Sequence, residues 1–299
     1  MGIIMALVFV AMVAAYVASK RPTHEREWRV DLAVLPQVER HGDEVTVHNL
    51  RNTRYGSPNT PYSMSYTTRT FDLQDVLRVW FVQETFGMWR AVAHTFLSFE
   101  FADGRCIAVS LEARIPADEN YSLFRGMLNS YELMVILGDE QDLIGRRAKY
   151  QAHDVYLYPL ALDPEQSQRL LGLLLEEANA VIERPRFYNT LYRSCTSHLF
   201  RFINQVSLGV VPLRLGTIVP GYSDRLLLTQ GLIAHMPADT PTNLISSSPW
   251  REAFYISDLV RDYADVHAHS EDDDGAFAKA IRQPLPRQHL PQERTKVAD

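Results

Sequence analysis

Cysteine is scarce in this sequence. Only Cys106 and Cys195 occur in 299 residues, too few for a disulfide framework or for the Cys/His spacing of a zinc module. A Gly-rich phosphate loop and an internal repeat are also missing, which excludes phosphate-loop enzymes and solenoids. Nor is there an excess of positive charge. Thirty Lys and Arg stand against 36 Asp and Glu, a formal net charge of −6, so the electrostatic footprint of a nucleic-acid binder is absent. We expect no cofactor, no metal and no nucleic-acid partner. Hydrophobic residues make up 46%, enough for a globular core in one large domain or two modest ones.

The chain opens with an uncharged run, Gly2 to Ser19. Spanning a bilayer as a helix takes about 20 apolar residues, with a range down to about 17, and the run just qualifies. A secretory signal would carry a basic n-region and a small-x-small cleavage site. No Lys or Arg precedes the run, so an uncleaved anchor is preferred over a signal or a buried helix. Lys20 and Arg21 follow it, and the positive-inside rule would hold them in the cytoplasm; the candidate site below argues instead for an outside domain. Past residue 265 the chain turns acidic and then rich in Pro and Gln, the composition of a disordered tail. The expected division is an anchor at 1–19, a folded domain at 20–265 and a disordered tail at 266–299.

Within the domain, Glu44 to Leu50 alternates as a strand does. Residues 74–83 read as another, and Val155-Tyr-Leu-Tyr-Pro-Leu as a short one. The clearest hairpin runs from Ala91 to Phe101, turns through Ala102-Asp103-Gly104 and returns from Arg105 to Ile115. Asp163-Pro164 starts a helix, with Asp as cap and Pro in the first turn, and Pro185 ends it. A polar loop from Arg186 to Ser194 then leads into Cys195-Thr-Ser-His-Leu-Phe-Arg-Phe-Ile-Asn, whose Leu199, Phe200, Phe202 and Ile203 give a helical buried face.

The two cysteines sit in unlike settings. Cys106 lies in an apolar run and reads as a core thiol, whereas Cys195 stands where the loop becomes a helix, which argues against their pairing. At a helix start, unpaired amides and the helix dipole favour a thiolate, and the Cys195 amide could also donate to an oxyanion. A thiol nucleophile needs an imidazole. His94 interrupts an apolar strand, where an unpaired polar group is costly, and is the best of the ten histidines. The hairpin leaves two registers open. A three-residue loop with Gly104 left-handed pairs Phe101 with Arg105 and puts His94 opposite Glu112, on one face. A two-residue turn sets His94 against Ala113 and turns Glu112 away, free to pair with Arg114.

These residues, in the order His strand, acidic strand, Cys helix, resemble a circularly permuted papain-like fold of the lecithin retinol acyltransferase type. More closely, the chain resembles the Lnb N-terminal periplasmic domain family. The matching stretches include Asn49-Leu-Arg-Asn-Thr-Arg-Tyr, Ala93-His-Thr-Phe-Leu-Ser-Phe-Glu-Phe-Ala-Asp-Gly, Val109-Ser-Leu-Glu-Ala-Arg, Asp139-Glu-Gln-Asp-Leu-Ile-Gly-Arg, Val155-Tyr-Leu-Tyr-Pro-Leu and Tyr188-Asn-Thr-Leu-Tyr-Arg-Ser-Cys-Thr, from about residue 27 to 206. The resemblance implies an α+β fold with an antiparallel sheet and a nucleophile-bearing helix, behind an N-terminal transmembrane helix. It also implies an enzyme of lipoprotein maturation at the bacterial inner membrane, with its catalytic domain on the periplasmic face. Such an enzyme moves a fatty acyl chain onto the amino group of a diacylated lipoprotein's N-terminal cysteine, with membrane phospholipid or the lipoprotein's own lipid as donor.

By the same resemblance Cys195 is the nucleophile, His94 the base and Glu112 its support. Asn49, Arg51, Asn52 and Tyr55, with Tyr188 and Asn189, bind substrate or shape the site. Asp139, Glu140, Asp142 and Arg146 read as a structural charged network. One departure stands out: the family commonly carries Asn before the cysteine, and this chain has Ser194, which can also cap a helix. Two other functions compete with acyl transfer. One is a cysteine peptidase or amidase acting on cell-wall peptides in an open polar cleft. The other is a non-catalytic lipid-binding module in which His94 and Cys195 lie too far apart to exchange a proton.

Overall fold

The computed structural model describes residues 1–86, 89–207, 211–212, 219–233, 251, 254–266 and 274–282. An apolar helix, α1 (Gly2–Ser19), leads into the domain and none of its residues is buried; it is long and apolar enough to cross a membrane. The domain is α+β. Its nine-stranded sheet is built from β1 (Gln37–His41), β2 (Glu44–Arg51), β3 (Tyr66–Asp72), β4 (Val76–Thr85), β5 (Ala93–Phe101), β6 (Cys106–Arg114), β7 (Tyr131–Gly138), β8 (Asp154–Pro159) and β9 (Phe187–Tyr188). The order is β1-β2-β7-β6-β5-β4-β8, with β3 paired to β2 and β9 to β7. All neighbours are antiparallel except β2 and β7, joined at Arg51 and Gly138.

β7 lies centrally, and each of its eight residues is buried. A strand covered on both faces reads as a continuous apolar run. Two helices cover one face: α4 (Pro164–Glu183) and α5 (Cys195–Val206). Asp163 and Gln166 form a reciprocal capping box at the start of α4, with Pro164 in its first turn. Leu170, Leu171, Leu174 and Leu175 of α4 are buried, each worth roughly 1.5–3 kcal/mol of transfer free energy. Phe200 of α5 stacks on Phe81 of β4 at 6.1 Å.

The other face carries α3 (Glu140–Gly145), which runs into a π turn at Arg146–Tyr150, and α7 (Ser257–Val266) and α8 (Asp274–Ile281). The described residues also include two short helices, α2 (Leu123–Met127) and α6 (Ser223–Thr229).

The hairpin takes the three-residue loop. Gly104 has φ +82°, the Phe101 amide donates to the Arg105 carbonyl and the Gly104 amide to the Phe101 carbonyl. Pairs run from Glu100–Cys106 to Leu97–Val109, the register that carries His94 toward Glu112. The tail corrects one expectation. Part of residues 266–299 is helical, because α8 buries Phe277, Ala278 and Ile281 and Arg282 reaches Glu140. That apolar face is masked in the sequence by its acidic, Pro-rich surroundings. Residues 267–273 and 283–299 of the expected tail lie outside the described ones.

Candidate active site

Cys195 is the first residue of α5. Ser194 precedes it as N-cap, its Oγ accepting from the Ser197 amide while the Ser197 Oγ accepts from the Ser194 amide at 2.9 Å. Serine thus does the capping at the position where asparagine was expected. Cys195 is 3% exposed and both cysteines are free. Its sulfur lies 3.7 Å from the Thr196 Oγ1, which in turn meets the Thr95 Oγ1 at 2.9 Å. The Thr95 amide helps to stabilise charge on the sulfur. That amide is free to do so because β5 and β6 part beyond Leu97 and Val109.

His94 stands in the same opening. Its Nε2 is 2.7 Å from the Ser110 Oγ, and Ser110 donates to the Glu112 Oε1 at 2.9 Å. The direct Nε2–Oε1 separation is 3.6 Å, so Glu112 holds the imidazole through Ser110 rather than by itself. With Nε2 engaged in that relay, the other ring nitrogen is left for the thiol, and the two groups are close enough for each to favour the other's charged form.

Charges around this pair are tightly matched. Arg147, presented by the π turn, donates from Nε to Glu84 and from Nη2 to Glu112, both at 2.7 Å, and its guanidinium lies over the Phe96 ring at 4.6 Å. Glu84 pairs across β4–β5 with His94 and also accepts from the His153 Nδ1. Burial alone would raise both carboxyls, but Arg147 together with His94, and with His153 at Glu84 and Arg146 and Arg51 at Glu112, outweighs it and holds them below the ordinary range.

Burial likewise works to raise the Cys195 thiol and to discharge His94. The attraction between thiolate and imidazolium, with the Thr95 amide and the Thr196 hydroxyl near the sulfur, reverses this, and the thiol is lowered from 9.0 to about 7. The imidazole moves the opposite way, above 6.5, driven by Cys195 and Glu112 against the opposing charge of Arg147. The balance favours a thiolate–imidazolium pair, a ready nucleophile. Cys106 differs: burial and Glu140 push its thiol well above the ordinary value, as suits a core residue.

A cavity of about 480 Å³ opens onto the pair. Apolar side chains form much of its wall, among them Leu111, Ala113, Ile115, Leu123, Met127 and Leu191, and Arg147, Glu84 and His153 lie at one side. Tyr188 also lines it. Buried Tyr188 stands edge-on to Tyr121 at 6.5 Å, and burial and the nearby Cys195 push its hydroxyl well above the ordinary range, which sets a neutral phenol near the nucleophile.

The remaining predicted residues lie elsewhere. Asn189 staples its loop to the end of α2, its Nδ2 donating to the Met127 carbonyl and the Asn129 Oδ1. Asn49 sits at a bulge of β2 with φ +58°, donating to the Leu35 carbonyl. Arg51 pairs with Asp142 at 2.5 Å and donates to the Tyr55 hydroxyl, and Tyr55 packs on Tyr62 and Tyr150. The Asn52 amide donates to the Ser65 carbonyl. None of these four lines the cavity; they brace the 49–65 loop. The expected charged network is present: Asp142 with Arg51, Asp139 with Arg54, Arg146 with Asp31 and Glu140 with Arg282.

Sequence reasoning missed Ser110, Thr95, Glu84, Arg147 and Tyr121. Ser110 carried a signal, because a residue two before Glu112 on a strand shares its face. Arg147 carried none, since its partners come from two distant strands.

The profile of the Lnb N-terminal periplasmic domain matches residues 62–220, more than half of the chain. The match contains His94, Ser110, Glu112, Tyr188, Asn189 and Cys195 and leaves out the 49–55 stretch. No curated protein and no solved structure matches the chain. The chain belongs to the Lnb N-terminal periplasmic domain family and is, with its apolar first helix, a periplasmic domain on a membrane-anchored protein.

Proposed function

We propose that this domain is a thiol acyltransferase that moves a fatty acyl chain onto the N-terminal cysteine amine of bacterial lipoproteins, at the periplasmic face of the inner membrane. In this reading the topology is the circularly permuted papain-like one: His strand, acidic strand, then Cys helix. The observation that carries the proposal is the largely apolar cavity ending on Cys195 and His94, a shape suited to an alkyl chain. A peptidase acting on cell-wall peptides needs an open polar cleft, which this cavity is not. His94 and Cys195 face the same cavity and lie close enough for each charge to stabilise the other, which argues against a non-catalytic lipid-binding module.

The Cys195 thiolate attacks the ester carbonyl of a membrane lipid, either a phospholipid or the lipoprotein's own diacylglyceryl group. A C–S bond forms, the C–O bond breaks, and His94 gives its proton to the departing alcohol. The lipoprotein amine then attacks the thioester. A C–N bond forms, the C–S bond breaks, His94 accepts the amine's proton and the thiolate returns. Glu112, through Ser110, keeps the imidazole oriented and favours its charged form. The Cys195 amide and Tyr188 stand beside the developing oxyanion.

The test is expression of the wild type and Cys195→Ala in a strain unable to N-acylate its lipoproteins, with mass spectrometry of the lipoprotein N-termini. N-acylated termini are expected only with the wild type. Identical termini in both strains would overturn the acyltransferase reading.

A further inference from the structure

An apolar patch surrounds the mouth of the cavity. On α2, Leu123, Phe124 and Met127 are 46, 68 and 37% exposed, and Leu191 and Tyr192 of the loop before Cys195 are 44 and 49% exposed. Apolar side chains of this size, clustered and open to water, mark an interaction surface. Three of them, Leu123, Met127 and Leu191, also line the cavity. The patch and the inner wall are one continuous apolar surface.

What covers the patch is decided by the position of α1. The Lys20 Nζ, just past its last turn, donates to the Leu128 carbonyl at 2.8 Å and the Ser130 Oγ at 2.9 Å. Those residues immediately follow α2. The same turn is held from the other side by Asn189, through the Met127 carbonyl and Asn129, and by the Tyr192 hydroxyl on Asn129. Anchor, α2 and the 189–192 loop therefore converge on one turn. The tether sets the turn that follows α2 beside the C-terminal end of α1. The tether also uses the Lys20 charge, giving that residue a structural role on the domain's side of the membrane.

We infer that α2 and the 189–192 loop dip into the phospholipid bilayer and open the cavity directly to its acyl region. Shallow insertion of such a face reaches about 5–10 Å, to the boundary of headgroups and acyl chains. An alkyl chain then passes from the bilayer to Cys195 along apolar walls without crossing water. Tyr192 sits where an aromatic side chain with a polar tip suits a membrane interface. The inference concerns where the domain sits and does not depend on turnover at Cys195.

The test uses the full chain carrying Cys195→Ala, with a nitroxide on Phe124→Cys or, separately, Leu191→Cys. Both positions are exposed, and the remaining Cys106 is buried. Asp103→Cys, at the far turn of the hairpin about 30 Å along β5 from His94, is the aqueous reference. The proteins are reconstituted in phosphatidylethanolamine–phosphatidylglycerol vesicles, and collision rates with oxygen and with a water-soluble nickel chelate are measured. Oxygen should dominate at positions 124 and 191 and the chelate at 103. Equal chelate access at all three positions would overturn the inference. So would spin–spin broadening at position 124 between copies, which would mean that a second chain covers the patch. Because Cys195 is absent throughout, a failed acyl-transfer assay leaves this result untouched, and the reverse also holds.

Discussion

Replacing His94 with alanine removes the imidazolium that keeps the Cys195 thiol near 7 rather than 9. Two pKa units correspond to about 2.7 kcal/mol of preference for the thiolate. At neutral pH a thiol of pKa about 7 is roughly half ionised, and one of pKa 9 about one per cent ionised. The fiftyfold gain in thiolate is partly offset, because nucleophilicity falls with pKa with a Brønsted slope of about 0.4–0.5. The net acceleration of alkylation is then about sixfold.

The pH midpoint is the cleaner observable. Iodoacetamide labelling of Cys195, followed by peptide mass spectrometry, should rise through a midpoint near 7 in the wild type. In His94→Ala, burial is no longer opposed by the imidazolium, and the midpoint should move to 9 or above. Cys106, 1% exposed and pushed up by burial and Glu140, should stay unlabelled and serves as an internal control. A wild-type midpoint at 9, or one that His94→Ala leaves in place, would refute the thiolate–imidazolium pairing.

Ser110→Ala breaks the relay from Glu112 to the imidazole; kcat/KM should fall about tenfold, near the upper value for one hydrogen bond, with a smaller shift of the alkylation midpoint than His94→Ala gives. Asp142→Asn leaves the buried Arg51 guanidinium without its carboxylate, and urea denaturation should register a loss of about 3–5 kcal/mol, while folded protein keeps the wild-type alkylation midpoint. Glu84 and Glu112 are held below their usual 4.5 by Arg147, so the stability they contribute is fully present above about 4.5 and is lost as pH falls through their lower folded values. Urea midpoints should therefore decline steadily on acidification below that point, and Glu112→Gln should flatten the decline.

Much of the site was legible because local rules marked its pieces. A loop turning into an amphipathic helix singled out Cys195, and an apolar strand interrupted by one imidazole singled out His94. The hairpin mattered most. Both faces of β6 are largely buried, so hydrophobic alternation could not fix its register, although a slip of one residue turns every side chain to the opposite face. The sequence left a two-residue and a three-residue turn both open, and the observed turn decides between them. A three-residue loop with Gly104 in the left-handed region fixes Phe101 opposite Arg105, and that alone brings Ser110 and Glu112 onto the face of His94. The buried helix α8 was not legible, since its few apolar residues are diluted by acidic and Pro-rich neighbours on both sides.

The residues that tune the site were hidden for a different reason. Arg147 is one of several arginines near a helix end, and nothing local distinguishes it. Its importance comes from a π turn that aims it between Glu84 of β4 and Glu112 of β6. With the imidazole charged, two carboxylates then face two cations, and each ion has a partner. Removing one charge leaves another buried without compensation, which costs more than the pair contributes. That asymmetry explains how a buried imidazole can stay protonated beside a buried thiolate. Glu112 favours the charged imidazole, and the imidazolium, with the Thr196 hydroxyl beside the sulfur, in turn favours the thiolate.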